Sequence, residues 1–438
     1  MSGDVIFPPA SLARKVLVFL AACSLLAIGS ALAGGLELPG AAVELKGSSQ
    51  AVPRTLFGMH LHRADTTTAW PRVKFGSWRL WDAEVSWPSL EPARGKWDFR
   101  KLDRYLAMSR LTGVEILLPL GLSPSWASAR PAEKSAYGPG NAAEPRDMAD
   151  WRNYVRTVAE RYKGRVRLYE IWNEPNDKTF FSGTAANLVE LTRIASEELR
   201  RIDPAIRVVS PSVTGGGKEI DWLVNFLRLG GSAYVDVIGH HFYVAHTKPE
   251  AMLEIINEVR RVMVKHGIDK KPLWNTETGW LIASEEGGTG AGPAGWKKLD
   301  RVSTEAYIAR AHILSWAAGV ERFYWYSWDH SSMGFLEPNT KAVKQYAVNA
   351  YARTLEWLVG SVVGGCRKSA GVWRCTLTDS KGQSAWIVWT EDDTRTSWPL
   401  PQGAQLREIE ELDGSSKAAL EGQKTVSVSQ RPVLLRLR

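Results

Sequence analysis

The chain has 438 residues, of which 44% are hydrophobic and 23% charged, and a formal net charge of +8. That length is too great for one compact core and suggests a large domain plus a small one, and the composition is that of a soluble globular protein. The basic balance comes without a Lys/Arg block or a nucleic-acid motif, which argues against a nucleic-acid partner; a solvated basic surface, an acidic polysaccharide or an anionic membrane surface remain as its meaning.

In chain order, Arg14 and Lys15 precede an apolar run at 16–33 that ends in Ala31-Leu32-Ala33. A basic start, an apolar stretch and small residues at its end are the order of a secretory signal peptide, with removal expected after Ala33. Two other readings stay open. The run is about long enough to remain as an uncut anchor, giving an association with the inner membrane. Leu20-Ala21-Ala22-Cys23 also looks like a bacterial lipobox, although the residues after Cys23 are still apolar. All three place the folded part outside the cytoplasm: periplasmic, membrane-associated or secreted. Residues 34–50 read as a linker.

From residue 51 onward short apolar runs alternate with amphipathic segments. Strands are expected at 55–61, 76–80, 115–120, 166–171, 207–211, 235–239, 272–276 and 322–326, and helices at 99–112, 147–162, 184–202, 221–229, 249–266 and 304–319. Eight strands in βα alternation predict a (β/α)8 TIM barrel over 51–359. A doubly wound nucleotide fold would need a glycine-rich phosphate turn after its first strand, and Gly58-Met59-His60-Leu61-His62 is not one. Long segments at 124–146 and 284–299 follow the third and seventh strands, where barrel loops shape an active-site mouth.

Beyond Gly360 the helical pattern stops. Strand-like runs at 372–377, 384–390, 406–411, 425–429 and 433–437 predict a small β-sandwich over 360–438. No Gly/Ser/Pro spacer separates it from the last helix, which favours a structural partner of the barrel over a tethered sugar-binding module. Cys366 and Cys375 lie nine apart here, a spacing that suits a disulfide across a hairpin in an exported chain; two unpaired thiols are the alternative.

The fourth strand runs directly into Asn173-Glu174-Pro175-Asn176, and the seventh carries Trp274-Asn275-Thr276-Glu277-Thr278-Gly279-Trp280. Cleaving a glycosidic bond requires a proton for the leaving oxygen and negative charge beside the oxocarbenium-like centre, and two carboxyl groups supply both. Glu174 and Glu277 are 277 − 174 = 103 residues apart, room for three βα units, which sets them across one barrel mouth. The two motifs resemble clan A of the glycoside hydrolases, and within it family 39, a family that includes β-xylosidases, iduronidases and periplasmic glycosidases encoded with exopolysaccharide genes. Trp87-Pro88-Ser89-Leu90-Glu91-Pro92 with Gly95-Lys96-Trp97-Asp98-Phe99, Arg79 just before it, and His241-Phe242-Tyr243 at the sixth strand extend the resemblance over residues 55–358.

The resemblance implies that Glu174 is the acid/base and Glu277 the nucleophile of a retaining enzyme. Arg79 and the Tyr243 hydroxyl are expected to keep Glu277 ionised, burial and neighbouring negative charge to keep Glu174 protonated, and Asn173 to bind the sugar 2-hydroxyl. His241 is a substrate-side residue, whereas His240 should point the other way and be structural. His60 and His62 share a face as candidate sugar contacts. Twenty tryptophans are many for a soluble protein; most pack a core, but Trp126, Trp172, Trp280 and Trp328 are candidates for stacking on sugar rings. No metal and no cofactor is expected, and the chain is expected to act as a monomer. Four functions fit this pattern: an endo-acting glycosidase on a bacterial exopolysaccharide, an exo-acting β-glycosidase such as a β-xylosidase, a transglycosylase, and a non-catalytic carbohydrate-binding barrel.

Overall fold

A computed structural model describes residues 43–287, 293 and 295–438. The export segment at 1–33, including Cys23, lies outside the described residues, as do 34–42 and positions 288–292 and 294 of the long loop after the seventh strand.

The barrel strands are Phe57–His60, Ser77–Arg79, Glu115–Leu120, Leu168–Ile171, a fifth strand broken into Arg207–Val209 and Val213–Thr214, Ile238–His241, Leu273–Thr278 and Val320–Trp325. Neighbours in the chain pair in parallel, and the eighth returns to the first through Phe323–Phe57, Tyr324–Gly58 and Trp325–Met59. The fifth meets the sixth on both sides of its break, by a bridge from Val209 to Val237 and by Val213–Thr214 against His240–His241. This is an α/β fold of the TIM-barrel kind. Seven helices of nine or more residues accompany it among the described residues: Arg100–Thr112, Met148–Arg161, Ala185–Ile202, Ile220–Arg228, Met252–Lys265, Arg301–Ala317 and Gln345–Leu358. Their starts are written locally. Thr184 and Asn187 form a reciprocal capping box, and Asp147 and Asp300 accept from Ala149 N–H and Ser303 N–H.

Alternation along the strands divides two cores. Leu117, Leu168, Val209, Val237, Trp274 and Tyr324, one from each of six successive strands or its edge, cluster inside the barrel. Leu118, Tyr169, Val208, Ile238, Leu273 and Phe323, each one residue away from these, face the helices in the main core. Two residues further along the inward register the side chains become polar, with Glu170 after Leu168 and Thr276 after Trp274. An apolar plug thus closes the barrel below and a polar layer opens above it, at the C-terminal ends of the strands where barrel enzymes work.

The C-terminal region is antiparallel. A seven-stranded sheet runs in the order Glu44–Leu45, Val362–Ser369, Val372–Thr378, Ser384–Thr390, Val433–Leu437, Leu406–Glu410, Ser416–Ala418, and a two-stranded ladder joins Thr396–Pro399 to Thr425–Val428. Val362–Ser369 escapes a sequence reading because Gly364 and Gly365 interrupt its apolar alternation. The expected linker is corrected here: Glu44–Leu45 pairs with Cys366 and Arg367 as the edge of this sheet. The sheet uses both faces. Trp373, Cys375, Leu377, Ala385, Ile387, Trp389 and Leu434 join the barrel's core, while Val372, Val388, Val433 and Leu435 pack with Val426 and Val428 of the ladder. Polar ties cross the same boundary: Trp389 Nε1 donates to Glu250, Trp357 Nε1 to Glu410, and Arg431 to Glu305, each at 2.9 Å. Cys366 and Cys375 face each other across the first hairpin and are disulfide-bonded.

Candidate active site

The polar layer is a hydrogen-bonded chain. His60 Nε2–H donates to the Thr276 carbonyl at 3.1 Å, Thr276 Oγ1 donates to Ser212 Oγ at 2.7 Å, and Ser212 in turn donates to Glu170. Arg79 closes the chain from the second strand. Its guanidinium is fully buried and spreads over three acceptors: Glu170 through Nε at 2.6 Å, Asn173 Oδ1 through Nη2 at 2.7 Å and Glu277 Oε2 through Nη1 at 2.9 Å. A buried guanidinium is tolerated only when its donors are satisfied and its charge paired, and two carboxylates do this here.

Glu277 ends the seventh strand and receives a second donor, the Tyr243 hydroxyl, on Oε1 at 2.9 Å. Glu174 follows the fourth strand through a tight passage in which Trp172 and Glu174 both take positive φ, 64° and 41°. Its N–H is held by the Ser212 carbonyl, and its Oε1 meets His241 Nδ1 at 2.8 Å. Non-glycine residues in this region carry local strain, which persists where surrounding structure fixes it, as at functional sites. A carboxylate oxygen from each glutamate and a ring nitrogen of His241 all lie within 4.8 Å of one another. These three side chains are the group in the site able to hold a metal; the positive charge facing Glu277 is already supplied by Arg79.

Burial is the largest influence on each titratable group. It pushes Glu174 up to about 7, tempered by Thr214 and Arg79, and Glu277 up to about 7, tempered by His241 and Arg79 and raised further by Glu174. The sequence reading has Arg79 and Tyr243 hold Glu277 ionised, but burial raises Glu277 as far as Glu174, and the two carboxyls compete for one proton. The proton resides on Glu174, because only Glu277 accepts from both a guanidinium and a phenol. Burial depresses His241 to about 4, so its ring is neutral. With hydrogen on Nδ1 it donates to Glu174 Oε1, leaving the other oxygen to carry a proton toward a substrate. The same tautomer leaves Nε2, buried and without a partner, as a bare lone pair rather than an unsatisfied N–H.

Glu174, Glu277, Arg79, Asn173, His241 and Tyr243 are thus brought together. Arg79 takes the Asn173 oxygen, leaving the amide nitrogen as the group able to reach a sugar hydroxyl. His240 turns away and bonds the Gly215 carbonyl, as expected. The tryptophan candidates are corrected. Trp280 is fully buried between Tyr307 and Trp325, Trp172 is fully buried against Phe181, and Trp328 is 3% exposed beside Phe335. Rings with no free face cannot stack on sugar. Trp126 keeps partial exposure, but its ring lies against Trp87 and beneath Arg94, with its N–H on the Glu91 carbonyl. His60 is spent on Thr276, and His62 pairs with Asp329 at 3.0 Å. Sequence reasoning missed Glu170 and Ser212, which anchor Arg79, and Trp296, whose partly exposed ring lies 5.4 Å from that of Tyr243. It also missed Asp82, which accepts from Tyr137 at 2.6 Å and from Tyr326 at 2.9 Å. An inward Glu three residues before Asn173, and an Asp three residues after Arg79, were the available signals.

Residues 73–284 match the family model described as Glycosyl hydrolases family 39. A β-xylosidase of Geobacillus stearothermophilus is 28% identical over 204 residues, 41% of this chain and 39% of the relative. An α-1,4-L-rhamnosidase of Formosa agariphila is 27% identical over 150 residues, 30% of each. The matches thus span less than half the length of these relatives. Among solved structures, a family 39 glycoside hydrolase from Bacteroides cellulosilyticus WH2 superposes with a TM-score of 0.67 at 17% identity, covering 88% of this chain and 81% of that one, a likeness of fold.

Proposed function

Because this chain belongs to family 39 of the glycosyl hydrolases, we propose that its barrel is a retaining glycoside hydrolase in which Glu277 attacks the anomeric carbon and Glu174 protonates the leaving oxygen. The observation that carries this is the approach of the two carboxylates within 4.8 Å. Inverting enzymes keep their carboxyl groups about 6.5–9.5 Å apart to admit a water, whereas about 5–5.5 Å suits direct attack and a covalent glycosyl-enzyme. After the leaving group departs, Glu174 is ionised and takes a proton from the incoming water, and Glu277 is released. Arg79 and Tyr243 hold Glu277 as the carboxylate before attack, and Asn173 stands beside the pair for the 2-hydroxyl.

For the substrate we favour internal cleavage of a bacterial exopolysaccharide outside the cytoplasm, supported by the export-type start of the chain and by the family's exopolysaccharide members. Exo-cleavage as a β-xylosidase is the second reading, favoured by the xylosidase relatives. Product analysis on a polysaccharide panel separates them: short oligosaccharides mean endo action, monosaccharide alone exo action. Anomeric NMR at early times should give the retained configuration, and an inverted first product would reject the mechanism.

A further inference from the structure

Beside the carboxylate pair lies a cavity of about 320 Å³, lined by Trp81, Asp82, Glu84, Leu122, Tyr137 and Asn141 among others. Its wall residue Trp81 adjoins the catalytic layer, with its ring 5.9 Å from the Arg79 guanidinium carbon. One polar group on its wall is Asp82. Tyr137 donates to Oδ1 and Tyr326 to Oδ2, and Tyr137 itself accepts from Trp81 Nε1 at 2.5 Å. The backbone of Asp82 is left-handed, with φ 59°. Three loops, after the second, third and eighth strands, therefore meet to hold one carboxylate.

The carboxylate is oriented but not saturated. A carboxylate has about four acceptor positions, and the tyrosines use two. Among the described residues no Lys, Arg or His side chain forms an ion pair with it, and it is partly exposed. Its charge reaches Arg79, Glu174 and Glu277. With Glu174 protonated, the cluster of Asp82, Glu170 and Glu277 around Arg79 carries more negative than positive charge, although the chain is basic overall.

We propose that Asp82, braced by Tyr137 and Tyr326, is a specificity-determining residue that accepts hydrogen bonds from the hydroxyls of an uncharged sugar and rejects uronic acids from the adjoining subsite. A neutral sugar offers donors to the free lone pairs of Asp82, and Trp81 and Tyr137 supply an aromatic wall. A sugar carboxylate has no donor to offer when ionised and would sit against like charge in a partly desolvated cavity, which is strongly unfavourable. The proposal rests on the glycosidase reading for its substrate class.

The test measures binding by tryptophan fluorescence to the full chain carrying Glu277→Gln, so that turnover plays no part. The probes are short xylo-, gluco- and manno-oligosaccharides set against galacturono-, glucurono- and mannurono-oligosaccharides. At least one neutral series should bind more tightly than every uronate series, by about tenfold or more. Asp82→Asn keeps the shape, and Asn tolerates left-handed backbone; it should weaken neutral binding and shrink the gap. Tyr137→Phe keeps the charge and should preserve the discrimination. Equal or tighter binding of a uronate, absence of binding by any neutral series, or a gap unchanged by Asp82→Asn would overturn the proposal. Hydrolysis by the unmodified chain is scored separately: a chain that binds neutral glycans selectively but cleaves none would defeat the glycosidase reading and leave this one standing.

Discussion

Glu174 and Glu277 are the same residue type, Glu277 buried and Glu174 partly so, at the ends of barrel strands four and seven, yet the two ends are built differently. Around Glu277 the barrel supplies a guanidinium and a phenol, each on its own oxygen. Around Glu174 it supplies a neutral imidazole on one oxygen and the Thr214 hydroxyl nearby, neither of them charged. Burial acts on both alike, so the division of labour comes from donors rather than from depth. Two carboxyls with the same intrinsic chemistry become acid and nucleophile because their neighbours favour different protonation states.

The comparison breaks most severely at strand seven. Glu277→Gln should lower kcat by about 10⁴-fold or more with an unchanged circular-dichroism spectrum, since the nucleophile is lost while its shape remains. At strand four, Glu174→Ala should cost about 10²–10⁴-fold on glycosides with poor leaving groups and far less on activated aryl glycosides, which need little protonation. Equal losses on the two substrate types would remove Glu174 from the acid role. Tyr243→Phe sharpens the contrast by weakening one of the donors that set Glu277 apart. It should lower kcat about tenfold to a hundredfold, the worth of a hydrogen bond to a charged group. It should also move the acidic limb of the kcat/KM profile upward, because Glu277 then holds its proton to higher pH. In the unmodified chain that profile should be a bell around pH 7, limited below by protonation of Glu277 and above by ionisation of Glu174.

The smallest effect is on stability. The folded state raises Glu174 to about 7, above its ordinary range, so it binds that proton more tightly than the unfolded chain does. The resulting stability is present below about pH 4.5 and is lost as pH rises through about 7. Glu174→Gln escapes the loss. It should therefore be more stable than the parent at pH 8, by about 1–3 kcal/mol, and close to it at pH 5. Denaturant melts at the two pH values check this, and an advantage confined to pH 5 would reverse the assignment.

Much of this site is written in short stretches of chain. Asn173-Glu174 and Thr276-Glu277 can be read because a strand periodicity delivers each to the end of its strand, and Arg79 because it closes a third strand. The eight strands and six of the seven helices follow from the same periodicity; the seventh, Gln345–Leu358, was legible only as the helix preceding the C-terminal region. What could not be read joins residues far apart. Asp82 meets Tyr326 across 244 positions and Tyr137 across 55, through loops without periodicity. The tryptophans were misjudged for the complementary reason: one ring serves a core or a sugar equally well, and only the packing of Tyr307 and Trp325 around Trp280 decides. In the C-terminal sheet, alternating strands were legible where alternation is clean and invisible where glycines interrupt it, at Gly364 and Gly365.

The assignment of roles is tested most directly by azide rescue of Glu174→Ala on an activated aryl glycoside. With the acid/base side chain gone, a small anion can enter and attack the glycosyl group on Glu277. The account predicts that azide accelerates turnover and that NMR of the product shows a glycosyl azide with the configuration of the substrate. No acceleration, or a glycosyl azide of inverted configuration, would contradict Glu174 as the acid/base of a double displacement at Glu277.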